Sequence, residues 1–366
     1  MITDRRKFLA GLLATGLVPK PTWADAGSPE FLSAAALTDG TFVLCGIDAN
    51  LNVTFTLPLP GRGHAAAAHP KRPEAVAFAR RPGTFAVVID CTTGVQKAVL
   101  HAPKGRHFYG HGCFSADKST LFTTENHYDE ARGVIGIRDA NTFEVIGEYD
   151  TYGVGPHDIH LMPGGKTLVV ANGGIETHPD YGRRKLNIDT MQPSLVYIDI
   201  ASGKKVDEFR LSDPKLSIRH LVVSKQGDVG IATQYQGDTY RQQPTTLVAW
   251  QSSGQALQEV PIPQTLAQSI RGYMADIAFD EKNQVLAVTA PRGNLLTLWD
   301  IKSSKLLREI KLPEASGVQY LAPQERFIVS SAKGDLFSVK LSDSQATVET
   351  LFTDKNTAWD NHLMIA

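Results

Sequence analysis

The chain has 366 residues, of which 42% are hydrophobic and 20% are charged, and its formal net charge at pH 7 is −1. A chain of this length would ordinarily suggest two or more domains, although one closed repeat fold can use all of it. The charge is near neutral and no long cluster of Lys and Arg follows the N-terminus, so the sequence lacks the electrostatic signature of a protein that binds nucleic acid or anionic membranes. We therefore expect no nucleic acid partner, and we expect a monomer.

The N-terminus has the pattern of a twin-arginine export signal. Arg5 and Arg6 precede an apolar stretch over residues 10–18, and small residues suited to signal-peptide cleavage follow. The apolar stretch is shorter than the roughly 20 residues that a membrane-spanning helix needs, and no other segment approaches that length. We therefore predict a signal peptide over residues 1–26 and a single domain over residues 27–366, located in the periplasm without a membrane span.

The three cysteines, Cys45, Cys91 and Cys113, show no paired spacing. Twin-arginine export moves a chain that has already folded in the reducing cytosol, where disulfides rarely form. We therefore expect all three to be free and buried as small apolar residues.

One pattern recurs seven times along the chain: a β-rich run, a small polar turn, and a second β-rich run. Asp at the end of the first run can bind the backbone of the turn, and Gly or Asn can accept a positive φ, so each copy predicts a hairpin. The runs end at or near Asp48, Asp90, Asp139, Asp199, Gln251, Asp300 and Leu341. A second set of turn residues precedes most copies, which predicts units of four strands each.

Four-stranded units repeating every 40 to 60 residues or so are typical of a β-propeller, in which each sheet is a blade that covers its neighbour's apolar face. Seven turns therefore predict an all-β, seven-bladed propeller. The hairpins over residues 31–57 lack a preceding inner strand, and residues 361–366 form a lone strand, so we expect the two to complete one blade and close the ring. A pair of β-sandwiches is the main alternative, but it would need a central linker that the sequence does not show.

Five histidines stand near the start of successive predicted innermost strands, the strands that line a propeller's channel: His64, His111, His157, His220 and His362. Neutral imidazole suits iron, copper, zinc or nickel, and three or four imidazoles can bind such an ion while leaving a position open for water or substrate. We therefore predict a transition-metal site for iron, copper or zinc on the axis. The other two blades offer Met274 with Asp276, and Gln319.

The distance to the following turn differs among these histidines. It places His64, His157 and Met274 two residues further out than His111 and His220, which favours two stacked layers over one ring. His101, His107 and His160 are expected to be surface or packing residues.

An insertion over residues 172–191 interrupts its repeat and supplies a further candidate site. Long structured insertions are commonly lids or binding loops, and a solvated loop is the alternative. The candidate residues of this lid or second site are Glu176, His178, Asp180, Arg183 and Arg184. Residues 125–130 are rich in oxygen ligands and form a third candidate, for a hard cation. Catalytic residues stay unknown, because the sequence contains no nucleophile elbow, zinc-protease, phosphate-loop or haem-attachment motif.

Eight segments in order resemble a bacterial family of exported propellers of unknown function, and the resemblance extends over nearly all of the predicted mature chain. The segments are residues 110–115, 124–126, 153–157, 169–180, 185–191, 217–220, 234–237 and 359–362. The resemblance implies a periplasmic propeller whose genes neighbour those of imelysin-like and di-haem oxidoreductase-like proteins. That setting suggests iron or another redox metal, and an imelysin-like or haem-containing partner.

These observations support three hypotheses. The leading one is a periplasmic metal-binding propeller that takes part in the acquisition or handling of a transition metal, with iron first. The second is a metal-free scaffold that docks a periplasmic partner protein. The third is a lactonase-like or metal-assisted enzyme, which rests on fold analogy alone.

Overall fold

The computed structural model describes residues 20–80, 83–342 and 345–366. These residues fold into seven antiparallel sheets arranged as the blades of a ring, which confirms the predicted seven-bladed β-propeller. Blades 2 to 7 each use one continuous segment of four strands, whereas blade 1 joins both ends of the described chain.

The strands of the first four blades are β1 (Phe31–Leu37), β2 (Phe42–Ile47) and β3 (Val53–Leu59) in blade 1; β4 (Gly63–Ala68), β5 (Glu74–Ala79), β6 (Phe85–Asp90) and β7 (Gln96–His101) in blade 2; β8 (Arg106–Phe114), β9 (Thr120–His127), β10 (Arg132–Asp139) and β11 (Val145–Asp150) in blade 3; and β12 (Pro156–Leu161), β13 (Thr167–Asn172), β14 (Ser194–Asp199) and β15 (Lys205–Phe209) in blade 4.

The remaining strands are β16 (Leu216–Val223), β17 (Val229–Tyr235), β18 (Thr246–Gln251) and β19 (Gln258–Pro261) in blade 5; β20 (Ile277–Asp280), β21 (Val285–Ala290), β22 (Leu295–Asp300) and β23 (Lys305–Lys311) in blade 6; β24 (Ala315–Leu321), β25 (Arg326–Ser331), β26 (Asp335–Leu341) and β27 (Ala346–Thr353) in blade 7; and β28 (Thr357–Trp359) and β29 (Met364–Ile365), which return to blade 1. One α-helix, α1 (Gln264–Ile270), precedes blade 6, and short 3₁₀ helices span Trp23–Ala26, Pro179–Tyr181, Pro291–Gly293 and Ala322–Gln324.

Blade 1 closes the ring as predicted. Its second strand, β1, pairs with both C-terminal strands, with Ala35 opposite Trp359 and Leu32 opposite Met364. The innermost strand of this blade is therefore interrupted over residues 360–363. There the Ser33 hydroxyl donates a 2.8 Å hydrogen bond to the carbonyl of His362.

The repeated polar turns connect the third and fourth strands of the blades, as the sequence pattern predicts. In blade 3, Asp139 Oδ1 accepts hydrogen bonds from the backbone N–H groups of Asn141 and Thr142, both at 2.8 Å. In blades 2 and 4 the turns end with Gly94 (φ +73°) and Gly203 (φ +67°), conformations that glycine adopts without steric cost. Local chemistry therefore fixes these hairpins.

The hydrophobic core lies between neighbouring blades. In blade 2 the second strand, β5, is buried at every position, whereas the outermost strand, β7, is largely exposed. Cys45 and Cys91 are buried, Cys113 is half-buried, and all three are free, as predicted. Desolvation raises the pKa of Cys45 to about 11 and that of Cys91 to about 12, so their reactive thiolates are scarce at neutral pH.

Residues 23–26, which precede the first strand, pack on the propeller. Trp23 Nε1 donates a 3.0 Å hydrogen bond to the carbonyl of His69, and Ala26 is buried. The boundary at residue 26 stays a prediction, and residues 1–19, with most of the predicted export signal, lie outside the described residues. In the described part of the chain, no helix is long and apolar enough to cross a membrane.

Candidate functional site

The five predicted histidines meet on the axis of the propeller, and we call them the histidine cluster: His64, His111, His157, His220 and His362. Each is at most 6% exposed. In nine of the ten pairs the ring centroids are between 4.4 Å apart, for His220 and His362, and 6.3 Å apart, for His64 and His220. The structure therefore brings together every histidine that the repeat pattern singled out.

Bulges in the innermost strands lie at the level of this cluster. In β8 the four-residue step from Phe108 to Gly112 faces a two-residue step on β9, and β4, β12 and β16 carry smaller register shifts. A bulge bends its strand and re-aims a side chain, and bulges are common beside functional sites. Gly110 lies in the β8 bulge with φ +108°, and a Cβ there would be 2.5 Å from His64 Cδ2. Only glycine leaves room for that ring.

The predicted two layers are present in part. His64 and His157 face a cavity and His111 lies behind them, in agreement with the spacing, but His220 faces the cavity too. His111 and His220 are the same number of residues from the following turn, so the sequence predicted the same depth for both. Their depths differ because β8 contains a larger bulge than β16. Residue counting alone does not register such differences.

One nitrogen from each of His64, His111, His157 and His220 lies within 4.8 Å of the corresponding nitrogen in the others, an arrangement that could hold a metal ion. His157 Nε2 and His220 Nε2 are only 3.0 Å apart. The Nε2 atoms of His111 and His362 are buried and have no hydrogen-bond partner among the described residues. Buried polar atoms are usually satisfied, so these nitrogens point to a ligand. His362 contacts the rings of His64, His111 and His220 but is outside the four-nitrogen group.

Three carboxylates stand behind the cluster and face Nδ1 atoms. The distances are 3.0 Å from Asp158 to His111, 3.3 Å from Asp276 to His362, and 3.7 Å from Asp360 to His64. At His111 and His362 the carboxylate is within hydrogen-bond distance of Nδ1, which fixes the ring and leaves Nε2 as the ligand atom, the usual support of a metal-binding histidine. At His64 the carboxylate is a nearby charge rather than a hydrogen-bond partner. The surroundings of the cluster therefore resemble those of a metal centre.

Asp158 is held by several groups at once. Its Oδ2 accepts a 2.9 Å hydrogen bond from the backbone N–H of Leu221 and lies 3.2 Å from His160 Nε2. Burial alone would raise the pKa of Asp158, but the charges and hydrogen bonds of His160 and His111 hold it well below its ordinary value. His160, expected to be a surface or packing residue, thus supports the cluster from behind.

Burial favours the neutral form of four cluster imidazoles, those of His64, His111, His157 and His220. Desolvation lowers the pKa of His64, His157 and His220 well below the ordinary value for histidine, and neighbouring positive charge, from Arg219 in the case of His157, lowers it further. Desolvation also lowers the pKa of His111, although Asp158 opposes it. Neutral imidazole is the form that binds metals.

A cavity of about 190 Å³ opens onto the cluster, and we call it the vestibule. Three cluster histidines form part of its wall, and most of the rest is cationic or hydrogen-bonding. The wall consists of His64, His157, His220, Arg80, Arg183, Arg219, Arg292, Tyr109, Tyr273, Gln234 and Asn361. A small molecule in the vestibule would lie against the imidazoles.

Of the five candidates in the insertion, the structure places Arg183 alone in the wall of the vestibule. His178 lies 3.6 Å from the carboxylates of Asp129 and Asp180, and Asp180 is 82% exposed. The backbone N–H of Glu176 donates a 2.8 Å hydrogen bond to Asn187 Oδ1, and Arg184 is exposed. The insertion therefore adds a residue to the vestibule instead of forming one compact second site.

The other candidates lie apart from the cluster. The buried carboxylate of Glu125 is 3.6 Å from Arg106 and 3.7 Å from Arg138, so two arginines already engage it. Met274 is part of the hydrophobic core. Gln319 lines a different cavity, with Phe279 and Ile365.

Several residues at the site were not singled out from the sequence. Asp158 directly follows His157, and Asp360 stands two residues before His362, so His–Asp proximity was an available signal for both. Arg80 and Arg219 offered no comparable signal. Their position in the vestibule depends on contacts between blades.

Comparison with known proteins identifies the family of this chain and a solved structure with a similar fold. Residues 57–366 match the family described as protein of unknown function (DUF1513). The chain belongs to this family. This confirms the resemblance to a propeller family of unknown function, whereas the gene neighbours that the resemblance implies stay a prediction. A search of curated proteins finds no match.

Among solved structures, the chain is similar to hydrazine synthase of Kuenenia stuttgartiensis, with a TM-score of 0.62 and 16% sequence identity. The match covers 89% of this chain and 97% of that chain. At this identity the similarity shows the fold alone.

Proposed function

We propose that this member of the DUF1513 family is an exported metal-binding propeller whose histidine cluster holds a transition-metal ion, with iron tested first and copper and zinc next. The observation that carries the proposal is the meeting of four buried imidazole nitrogens from four blades within 4.8 Å. Nitrogen ligands about 2.1 Å from a tetrahedral ion lie about 3.4 Å from one another. Small rotations of the rings would therefore complete such a site.

The charge balance around the cluster supports a bound cation. Asp158, Asp276 and Asp360 lie beside the imidazoles, and burial favours the neutral form of His64, His111, His157 and His220. Arg62 and Arg80 offset the charge of Asp360, because they pair with it at 2.8 Å and 2.9 Å, whereas Asp158 and Asp276 pair with histidines. Imidazole nitrogens with supporting carboxylates suit iron, copper and zinc, so the identity of the bound ion must be measured.

The proposal extends to location and role. The twin-arginine pattern at the N-terminus supports export to the periplasm, where a buried, preformed metal site could take up and hold an ion during metal acquisition. The vestibule gives the ion a route to the cluster. The name of hydrazine synthase indicates an enzyme, but fold similarity at 16% identity carries no activity to this chain.

Elemental analysis of natively exported protein tests the proposal. We expect close to one transition-metal ion per chain in the wild type and little metal in the His111→Ala/His220→Ala variant. His101→Ala is the matched control, because His101 is exposed at the end of the outermost strand β7, and this variant should keep its metal. Circular dichroism and thermal unfolding would establish that the double variant still folds.

Failure has a specific form. If the wild type contains no metal and cannot be loaded with iron, copper or zinc, the metal-binding proposal is wrong and the metal-free docking scaffold becomes the better hypothesis. Full metal content in the folded double variant would instead move the site away from the histidine cluster.

A further inference from the structure

The vestibule has a cationic wall that a metal site does not require. Four arginines reach it from four different blades: Arg80 after β5, Arg183 from the insertion between β13 and β14, Arg219 from β16, and Arg292 from the 3₁₀ helix after β21. No carboxylate is among the described residues that line the wall. The vestibule is therefore a positively charged chamber directly above the imidazoles.

Contacts with the protein orient part of this wall. The guanidinium of Arg80 pairs with Asp360 at 2.9 Å. The guanidinium of Arg292 lies 4.9 Å from the centre of the Tyr273 ring and donates a 3.2 Å hydrogen bond to the carbonyl of Arg271. The side-chain amide of Asn361 donates a 2.6 Å hydrogen bond to the Tyr273 hydroxyl. Donors fixed in this way bind a ligand with little loss of side-chain entropy.

A metal ion in the cluster would make the chamber more cationic still. The aspartates behind the cluster offset part of the charge of a divalent ion, but the guanidiniums on the vestibule side repel it. An anion that enters with the ion would relieve that repulsion. Guanidinium groups bind carboxylates through charge-assisted and often bidentate hydrogen bonds. An anion with carboxylate oxygens could bind the arginines and the ion together.

The size and spread of the wall narrow the ligand class. The volume of about 190 Å³ is below the range of about 300–1,000 Å³ that drug-sized ligands occupy, so the ligand is small. The arginines enter from four blades, so several anionic groups on one ligand can each meet a different guanidinium. We propose that the vestibule binds a small organic anion with two or three carboxylates, whose oxygens contact the metal site from its open side. The metal contact rests on the function proposed above, whereas the anion site itself does not.

Calorimetric titration with tricarballylate, a tricarboxylate that chelates metals weakly, tests this inference on metal-free and metal-loaded full-length protein. We expect binding that weakens with added salt. Removal of one charge-assisted hydrogen bond typically costs a factor of ten or so, so Arg183→Gln/Arg292→Gln should weaken binding about 100-fold. Arg241→Gln is the matched control, because Arg241 is 88% exposed and outside the vestibule, and it should bind as the wild type does.

The two proposals fail separately. The anion site would be overturned if tricarballylate does not bind at millimolar concentration, or if the double variant binds it as well as the wild type does. A cluster that still binds metal would then leave the proposed function standing. If tricarballylate binds to a protein that accepts no metal, the anion site stands and the proposed function is wrong. Inorganic phosphate that binds more tightly than tricarballylate would overturn the carboxylate class.

Discussion

Blades 1 to 5 each contribute one histidine to the cluster, whereas blades 6 and 7 contribute none. At the same level blade 6 presents Asp276, whose Oδ2 accepts hydrogen bonds from the backbone N–H groups of Val318 at 2.8 Å and Leu363 at 3.4 Å. Its Oδ1 faces His362. Within the described chain, blade 6 therefore anchors the cluster through Asp276 rather than supplying an imidazole ligand.

Blade 7 has no side chain at the position that a ligand would need, and its structure shows why. A Cβ at Gly317 would lie 2.6 Å from the backbone nitrogen of Leu363 and 2.7 Å from the carbonyl carbon of His362. The returning C-terminal segment occupies the space that a side chain would need. The repeat supplies equivalent positions, and closure of the ring decides which of them can hold a ligand.

The strongest test of this comparison removes residues 363–366, which hold His362 between the two sets of blades. Leu363 is fully buried, β29 pairs with β1, and the N–H of Ala366 bonds to the carbonyl of Glu30 at 3.0 Å. We expect the deletion to abolish soluble folded protein, measured by soluble yield and circular dichroism. Ile365→Ser, at a 64% exposed position, should fold normally. A soluble deletion variant that melts like the wild type would show that blade 1 closes without this segment.

A smaller change separates anchoring from metal binding. Asp276→Ala leaves two buried backbone N–H groups and an imidazole without their acceptor, so we expect a loss of about 3 kcal/mol in the free energy of unfolding, measured with urea. Asp276→Asn keeps an acceptor oxygen and should lose less. Both variants should retain metal, because the four-nitrogen group does not include His362. Metal loss without destabilisation would make Asp276 a ligand.

The fold could be predicted because its signals are local. Asp139 binds N–H groups within three residues of itself, and the unpaired strands at the two chain ends made closure apparent. The supports of the site could not be predicted in the same way. Asp158 binds a backbone N–H that lies 63 positions away, and Asp276 binds one 42 positions away. The arginines of the vestibule likewise meet only after the ring closes, and bulges of unequal size shifted the apparent depth of His220.

The outer hairpin turns are alike in both sets of blades, and they give the smallest expected effect. Hydrogen bonds from Ser202 lower the pKa of Asp199 in blade 4, and hydrogen bonds from Ser303 lower that of Asp300 in blade 6. The folded-state pKa is below the unfolded value of about 3.9, so each carboxylate stabilises the fold above about pH 4. That contribution is lost as the pH falls through the folded-state pKa.

Asp199→Asn and Asp300→Asn keep an acceptor in the turn but remove the charge. Urea unfolding of each variant and of the wild type, in steps from about pH 6 to about pH 3, should show a stability difference that narrows at the acid end. The narrowing should be similar in the two variants, because the turns are built alike and their residues lie far from the cluster. A difference that stays constant with pH would mean that the ionised carboxylate adds nothing beyond its acceptor atoms. Unequal narrowing would mean that the distinction between histidine-bearing and histidine-free blades extends to their outer edges.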